Sequence, residues 1–281
     1  MQQILTVDIG GTKTRLVWFG VNSSSILEIY TIPILRELQF PTPNNADEFM
    51  SLLLNAIRNS PPESENLTVI SIASRGVIKN DMISTRLLSW INFPIVSRLQ
   101  TEFPNAKILL GNDAKIGTLG AFPTDFRGRG LYLTLGTGIG GGLIIDDKLS
   151  DDLSHMEFGH MQFLHDGKWQ KWQDFASGKA FFEKHQRNGE EIPFGDLVWR
   201  EYAENLYVGL SALIPTIYPE KIIIGGGISE HFAKFGEILS DLIKENVWSP
   251  ILPIEITGAN ESRYTVNRGA LIYALQKLDL A

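Results

Sequence analysis

The sequence predicts an α/β fold built from two related lobes. Runs of β-forming residues alternate along the chain with segments in which apolar residues recur at helical spacing. A strand–glycine turn–strand unit also occurs twice, at 4–19 and at 130–145, and Gly10 aligns with Gly136 in this comparison. Because a related supersecondary unit occurs at two places in the chain, we expect two lobes of similar design.

Each repeat unit has the pattern of a β-hairpin. In the first, strands over 4–9 and 15–19 flank a Gly-Gly-Thr turn; in the second, a β-rich run ends in Gly-Thr-Gly before another apolar run. Apolar runs of strand length elsewhere are typical of buried strands in a parallel or mixed sheet. Further strands are expected at 67–74, at 106–113 and from 221, and helices at 46–60, 200–218, 235–247 and 267–278.

Composition excludes several classes of protein. The chain has 281 residues, a formal net charge of -7 and no cysteine. Without cysteine there are no disulfides, thiolate metal sites or cysteine nucleophiles, and a reducing cytoplasm fits this composition. The chain has no lysine- and arginine-rich stripe, so we expect no nucleic-acid partner. No apolar run reaches the ~18 residues of a membrane span, and we expect no signal peptide.

The first glycine turn is a candidate phosphate site. Glycines allow close approach, so the backbone N–H groups of such a turn can surround phosphate oxygens. Asp8 at the strand end could hold Mg²⁺, directly or through water. A tight hairpin with a solvated Asp8 explains the same pattern equally well. The residues that would face the phosphate are Gly10, Gly11, Thr12, Lys13 and Thr14.

Two later turns extend this hypothesis. The second glycine turn offers N–H groups and a hydroxyl for another set of phosphate oxygens, although a glycine-rich hairpin is again an equal alternative. The third glycine turn follows a strand, and a flat adenine or ribose could lie against its backbone. Taken by itself, this turn is better explained as a loop that needs positive φ. The residues concerned are Gly136, Thr137 and Gly138, and then Gly225, Gly226 and Gly227.

Asn112 and Asp113 follow a predicted buried strand. The carboxyl ends of strands are where α/β proteins bind ligands. Asp113 is therefore a candidate general base for a substrate hydroxyl, with Asn112 as a hydrogen-bonding neighbour. The same pair would also cap the helix that follows, and this alternative stays open.

The segment SHMEFGHMQF holds Glu157 and His160, with His155 just upstream. A zinc site needs three or four ligands, and this spacing does not match His-Glu-x-x-His. A structural pair is the more frequent situation. If the pair is functional, a carboxylate and an imidazole suit the recognition of sugar hydroxyls, because each makes directional hydrogen bonds.

Six motifs occur in one order along 7–269: Asp-x-Gly-Gly-Thr, Asn-Asp-Ala, Leu-Gly-Thr-Gly-x-Gly, Glu-x-Gly-His, Ala-Ser-Gly and Pro-Glu-x-Ile-x-x-Gly-Gly. Together they resemble the ROK family of sugar kinases and repressors, most closely its glucokinase-like enzymes. The resemblance implies the two-lobed actin-like ATPase (ribonuclease H-like) fold, with a cleft between the lobes. The small lobe would span 1–111, rejoined by the C-terminal helix 266–281, and the large lobe 112–265.

The resemblance also implies an activity. It implies ATP with Mg²⁺ and transfer of the γ-phosphoryl to a hexose hydroxyl, first of all glucose to glucose 6-phosphate. Such a hexokinase- or glucokinase-type enzyme belongs to carbohydrate metabolism and glycolysis in the cytoplasm. Family members are often dimers, which raises the option of a homodimer.

Residue roles follow from the same resemblance. Asp113 resembles the family's catalytic base, while Asn112, Glu157 and His160 resemble its sugar-binding groups. The phosphate loops would be 8–14 and 136–138, and the adenosine-side loop 225–227.

Four positions depart from the family pattern. The segment that carries the family's zinc cysteines reads LHDGKWQKWQDFASG, so we expect no structural zinc and instead aromatic packing by Trp169, Trp172 and Phe175. Many members have a sugar-binding glutamate where this chain has Gln173, whose amide can still hydrogen-bond.

The other two departures lie earlier in the chain. Arg75-Gly76 stands where the family usually has Pro-Gly, and Leu87 stands where it usually has an asparagine. The changes at Gln173 and Leu87 leave the sugar open, so another hexose or an N-acetylhexosamine is an alternative substrate, and a catalytically weak sugar-binding protein is an alternative function. Polyphosphate in place of ATP as the phosphoryl donor is a separate alternative. A repressor would carry a helix-turn-helix ahead of the first phosphate loop, and the chain begins almost at that loop.

Overall fold

A computed structural model of the chain describes residues 2–21, 31–59, 67–146, 148–150, 156–247, 253–260 and 263–278. It confirms the predicted α/β class. Contacts group the chain into two compact units, Met1–Gly120 with Val266–Ala281, and Ala121–Thr265. No helix in the described ranges combines the length and the apolar character that crossing a membrane requires.

The described residues of the first unit form two sheets and four α-helices. Its helices are α1 Ala46–Arg58, α2 Ile95–Glu102, α3 Asp113–Ala121 and α8 Thr265–Lys277; α3 ends one residue beyond the unit and α8 begins one residue before it. Its strands are β1 Gln2–Ile9, β2 Lys13–Val21, β3 Ile34–Pro41, β4 Leu67–Ser74, β5 Val77–Lys79, β6 Met82–Thr85, β7 Trp90–Phe93 and β8 Lys107–Asn112. The large sheet has the order β3-β2-β1-β4-β8, and β5, β6 and β7 form the small one.

The core of the first unit forms where α1 packs beside the large sheet. Asn45 caps the helix, since its side chain accepts from the backbone N–H groups of Asp47 and Glu48. Helical spacing then brings Phe49 and Leu53 to one face, where they join the buried side chains of β1 and β2. This packing fixes the end of β1 and the start of β2, which the first glycine turn joins.

In the part of the second unit that the structure describes, there are a five-stranded sheet, a two-stranded hairpin and four α-helices. Its helices are α4 Trp172–Ala176, α5 Gly178–His185, α6 Leu197–Ile217 and α7 Phe232–Asn246. Its strands are β9 Arg129–Leu135, β10 Ile139–Ile145, β11 Lys148–Leu149, β12 Gln162–His165, β13 Lys168–Lys171, β14 Lys221–Gly225 and β15 Glu255–Gly258. The five-stranded sheet has the order β11-β10-β9-β14-β15.

The predicted internal repeat is confirmed, and it extends further than the two hairpins. In each sheet an antiparallel hairpin, β1–β2 or β9–β10, continues through two parallel strands on one side and one antiparallel strand on the other. The predicted strands and four helices are present, with ends shifted by a few residues. The helix predicted at 200–218 begins at 197, because Asp196 caps it there.

Candidate functional site

The first glycine turn joins β1 to β2, whose register brings Ile9 opposite Thr14. The N–H of Gly10 donates to the carbonyl of Lys13 at 3.0 Å, and the carbonyl of Thr12 accepts from Thr42 at 3.0 Å. Thr14 is buried, with its hydroxyl 2.9 Å from that of Thr42. Thr14 and the Gly10 amide therefore stabilise the turn itself, while Gly11, Thr12 and Lys13 remain accessible to solvent.

Asp8 lies on β1 next to this turn, opposite Arg15 on β2 and Ala73 on β4. Burial and the nearby Asp113 carboxylate raise the pKa of Asp8 to about 7, although the Arg15 guanidinium opposes this rise. Two carboxylates that repel each other are a donor set for a hard cation, because Mg²⁺ is typically held by one or two carboxylates together with phosphate oxygens. Asp8, with a second carboxylate nearby, therefore fits an Mg²⁺ ion.

Asn112 and Asp113 stand at the end of β8 and the start of α3. Asn112 Oδ1 accepts from the backbone N–H groups of Ala114 at 3.1 Å and Lys115 at 3.3 Å, and its Nδ2 donates to the carbonyl of Gly76 at 3.2 Å. The capping alternative thus describes Asn112 in this structure. Asp113 Oδ1 accepts from the Ala114 N–H at 2.8 Å, which orients its carboxylate at the end of the strand.

The second glycine turn joins β9 to β10 in the same manner as the first. The N–H of Gly136 donates to the carbonyl of Gly138 at 3.0 Å, as that of Gly10 does across the other turn. A Cβ on Gly138 would meet Gln173 Oε1 at 2.8 Å, and one on Gly159 would meet the same oxygen at 2.9 Å. The amide of Gln173 therefore lies between the second glycine turn and the Glu-Phe-Gly-His segment.

Glu157 and His160 flank a buried pair, Phe158 and Gly159, in a 3₁₀ turn. The N–H of His160 donates to the carbonyl of Glu157 at 2.9 Å, which closes the turn. Both side chains are exposed, and neither has a hydrogen bond or ion pair within the described part of the chain. Both are thus available to a ligand. His155 lies outside the described residues.

The third glycine turn packs closely against β9. Gly226 has φ +83°, and a Cβ there would lie 2.5 Å from the carbonyl oxygen and 2.6 Å from the nitrogen of Leu135. A Cβ on Gly225 would meet the hydroxyl of Tyr132 at 2.3 Å, whereas Gly227 has open space around it. Positive φ and close packing therefore explain the first two glycines, and Gly227 faces accessible volume.

Gly226→Ala is expected to lower the free energy of unfolding by about 2–4 kcal/mol, because the new methyl group meets backbone atoms and φ is positive. Denaturant unfolding measures this loss. Gly227→Ala, the same change one residue later, is the matched control and should stay within ~0.5 kcal/mol. Equal losses in the two variants would contradict this view of the turn.

A cleft of about 340 Å³ opens between the second and third glycine turns within the second unit. Gly136 and Thr137 line one side and Gly227 and Ile228 another. Its remaining lining includes Lys179, Phe182, Arg187, Asn188 and His231. The cleft thus combines backbone amides, two cationic side chains and an aromatic ring, a set that suits a nucleotide.

The residues of α5 and of the loop after it were not among the sequence candidates. Ser177 caps α5 by accepting from the Ala180 N–H at 3.1 Å, and the Ala-Ser-Gly motif is the signal that could have located this helix start. Lys234 donates to the carbonyls of Gly189 and Ile192 at 2.8 and 2.7 Å, which holds the loop beside His231. Burial and Lys234 lower the pKa of His231.

Comparison with known proteins identifies the family. The model of the ROK family matches residues 4–277. The chain belongs to the ROK family.

Relatives of this ROK protein differ in activity. It is 23% identical to a glucokinase of Streptomyces coelicolor, over 88% of this chain and 90% of that protein. It is 25% identical to an N-acetyl-D-glucosamine kinase of Pectobacterium atrosepticum, over 88% and 89% respectively. A xylose repressor of Caldicellulosiruptor bescii is 27% identical, over 86% of this chain and 69% of the repressor. The family therefore covers several sugar kinases and also repressors.

Solved structures agree on the fold. The ROK glucokinase of Streptomyces griseus, in complex with glucose and AMPPNP, matches with a TM-score of 0.80 at 21% identity, over 98% of this chain and 99% of that one. This likeness confirms the two-lobed actin-like ATPase fold for this ROK protein. The predicted division into lobes at 111 and 112 stays a prediction.

The segment that departs from the ROK zinc motif packs mainly through aromatic side chains. Trp172 is fully buried and donates to the carbonyl of Asn205 at 3.1 Å, and Phe175 stacks on His165 with ring centroids 4.0 Å apart. Trp169 is 71% exposed, so the expectation that it packs inside was wrong. It lies opposite Leu164 on the exposed face of the β12–β13 hairpin, because successive strand residues alternate between faces. The described residues contain no group of three His, Cys, Asp or Glu that could hold a metal ion.

Proposed function

We propose that this ROK protein is an ATP-dependent sugar kinase that phosphorylates a hexose hydroxyl, with glucose as the first substrate and glucose 6-phosphate as the product. The observation that carries the proposal is the acid pair at the first glycine turn. Burial, and after it the Asp113 carboxylate, raise the pKa of Asp8 to about 7, so the two acids act on each other at this turn. One carboxylate that holds a cation beside another that can accept a proton is what hydroxyl phosphorylation needs.

In the proposed reaction, Asp113 orients the sugar hydroxyl and accepts its proton as the oxygen attacks the γ-phosphorus. The new O–P bond forms while the bond to the β,γ-bridging oxygen breaks, and ADP leaves with that electron pair. We assign Asp8 to hold Mg²⁺ directly or through water, and the ion when bound would neutralise charge on the phosphate oxygens. The accessible N–H groups near Gly11 and Thr12 are proposed donors to the terminal phosphate.

We assign the cleft of the second unit to the rest of the nucleotide. Thr137 and Gly138 are proposed phosphate contacts, and Gly225, Gly226 and Gly227 the adenosine-side loop. Lys179 and Arg187 supply positive charge in the lining, and Phe182 an exposed ring. The AMPPNP-bound glucokinase of Streptomyces griseus supports ATP as the donor.

We assign sugar recognition in the second unit to Glu157, His160 and Gln173. The first two have exposed polar groups that no described residue engages, and the Gln173 amide lies against Gly138 and Gly159. Asn112 is assigned to the same substrate. Its Oδ1 already accepts two backbone N–H groups of α3 and one N–H of Nδ2 binds the Gly76 carbonyl, so the second N–H of Nδ2 would have to reach the sugar.

A sugar panel tests the proposed function. ADP release is measured with Mg-ATP and, in turn, glucose, mannose, fructose, N-acetylglucosamine and N-acetylmannosamine. Glucose is expected to stimulate turnover most. A panel in which no sugar raises ADP release above the sugar-free rate would overturn the proposal, and calorimetry would then distinguish a sugar-binding protein from one without a sugar ligand.

One observation favours a different sugar. An amide at Gln173 can donate as well as accept, whereas the glutamate at this place in many members can only accept when ionised. A substrate with an acetamido group offers a carbonyl that such a donor could bind. If N-acetylglucosamine or N-acetylmannosamine exceeds glucose in the panel, the activity of the Pectobacterium relative is the better guide.

A further inference from the structure

Arg75 lies over the first glycine turn. It follows directly after β4, and its backbone N–H donates to the carbonyl of Ile9, the last residue of β1, at 3.5 Å. A Cβ built on Gly11 would lie 3.0 Å from Arg75 Nη1 and 2.2 Å from Leu87 Cδ2. The guanidinium and one apolar side chain therefore contact the same glycine, on the surface where phosphate oxygens would approach.

The Arg75 guanidinium has no acidic partner among the described residues. Within the described part of the chain its side chain has no hydrogen bond and no ion pair, although the residue is partly buried. The cation that lowers the pKa of Asp8 is Arg15, which in turn contacts Glu37 at 3.2 Å. A partly buried cation without a partner is costly, so a site that retains one is suited to an anionic ligand.

The loop that carries Arg75 is held in one conformation. Gly76 has φ +100°, and a Cβ there would lie 2.5 Å from the carbonyl of Ser84. Asn112 Nδ2 donates to the Gly76 carbonyl at 3.2 Å, which ties this loop to the residue before Asp113. The backbone that carries Arg75 is therefore tied to the residue that precedes Asp113.

A guanidinium presents a planar set of donors that matches two oxygens of one phosphoryl group, and such charge-assisted pairs are among the strongest hydrogen bonds. We propose that Arg75 binds a terminal phosphoryl group at the first glycine turn, either the γ-phosphoryl of the donor or the phosphate of the sugar phosphate formed from it. This inference rests on the proposed kinase function. It gives Arg75 a role that proline, the usual residue at this place in the family, cannot have.

The test compares ligands that differ by one terminal phosphoryl group. Dissociation constants of AMPPNP, ADP and glucose 6-phosphate are measured by calorimetry with Mg²⁺ for wild type, Arg75→Gln and Arg75→Lys. Arg75→Gln is expected to weaken the binding of AMPPNP by about 10- to 100-fold and that of ADP by less than ~2-fold. Arg75→Lys should weaken AMPPNP binding by less than Arg75→Gln does. Arg58→Gln, which removes the same charge from α1 of the same unit, is the matched control.

The three ligands distinguish the two sources of the phosphoryl group. If only the affinity for AMPPNP falls, Arg75 binds the γ-phosphoryl of the donor. If only the affinity for glucose 6-phosphate falls, Arg75 binds the phosphate of the product. If both affinities fall, Arg75 binds the phosphoryl group before and after its transfer. Unchanged affinities for AMPPNP and glucose 6-phosphate would overturn the inference, and so would an ADP affinity that falls as much as theirs. If Arg75→Gln does not fold, Arg75→Lys alone decides by the same comparison.

Failure of this inference is distinct from failure of the kinase proposal. A wild-type protein that phosphorylates a sugar, with AMPPNP and glucose 6-phosphate affinities unchanged in Arg75→Gln, rejects only the role of Arg75. If the wild-type protein phosphorylates no sugar, yet Arg75→Gln selectively lowers the affinity for AMPPNP, only the proposed sugar acceptor is rejected.

Discussion

Replacing Asp113 by asparagine is expected to lower sugar-dependent ATP turnover by about 10²–10⁴-fold, because the amide cannot accept the proton of the attacking hydroxyl. The fold should survive, since the asparagine carbonyl can still accept from the Ala114 N–H, as Asp113 Oδ1 does at 2.8 Å. Steady-state kcat with saturating glucose and Mg-ATP measures the loss, and thermal unfolding reports on the fold.

Asp47→Asn is the control for Asp113→Asn. Asp47 also lies in the first turn of a helix in the first unit, and it forms an exposed ion pair with Arg98 at 2.6 Å. This variant should keep the wild-type kcat. Equal kcat values for the Asp113 and Asp47 variants would remove Asp113 from the mechanism, even if the protein proves to be a kinase.

Asp8→Asn is expected to have opposite effects on stability and on activity. Burial and Asp113 make the ionised form of Asp8 costly in the folded protein, and this cost is lost when the side chain is an amide. The variant should therefore have a higher Tm than wild type at pH 8. Its turnover should fall by at least ~10²-fold, because a proposed Mg²⁺ ligand is lost.

The pH dependence follows from the sign of the shift. The pKa of Asp8 is about 7 in the folded protein and ordinarily 3.8, so the folded state binds the proton more tightly than the unfolded state. The stabilisation is complete below pH ~3.8 and is lost as the pH rises to about 7. This loss lowers the Tm of the wild type but not the Tm of Asp8→Asn. The difference between the two Tm values should therefore grow from pH 5 to pH 8.

Magnesium provides the complementary measurement. Because Mg²⁺ favours the ionised carboxylate, millimolar Mg²⁺ should raise the wild-type Tm more at pH 8 than at pH 5.5. Asp8→Asn should show a much smaller response at both pH values. A wild-type Tm that is independent of Mg²⁺ in the presence and absence of AMPPNP would contradict the assignment of Asp8.

The sequence predicted the strand–glycine turn–strand repeat and the main helices because their signals are local. Hairpin turns at Gly10 and Gly136, and apolar periodicity around Phe49, need no tertiary information. The small sheet of β5, β6 and β7 was missed because its strands are three or four residues long. Its signal was the pair Asn80 and Asp81, whose positive φ values of 50° and 59° form a two-residue turn.

The candidate sites were predicted less completely than the fold. Motif spacing selected Thr14 and Asn112, but it could not indicate that the Thr14 hydroxyl is buried against Thr42 or that the Asn112 amide caps α3. It also could not bring Arg75 to Gly11, since the two meet only when β1 and β4 pair. Contacts between distant parts of the chain decide which polar groups remain available.

The most direct test of the kinase proposal is the ³¹P NMR spectrum of the purified protein with Mg-ATP and glucose. The kinase account predicts that the γ-phosphate signal disappears, that ADP forms, and that an equal amount of a sugar phosphate monoester appears. Inorganic phosphate in place of the monoester, or ATP that remains unchanged with every sugar of the panel, would contradict it.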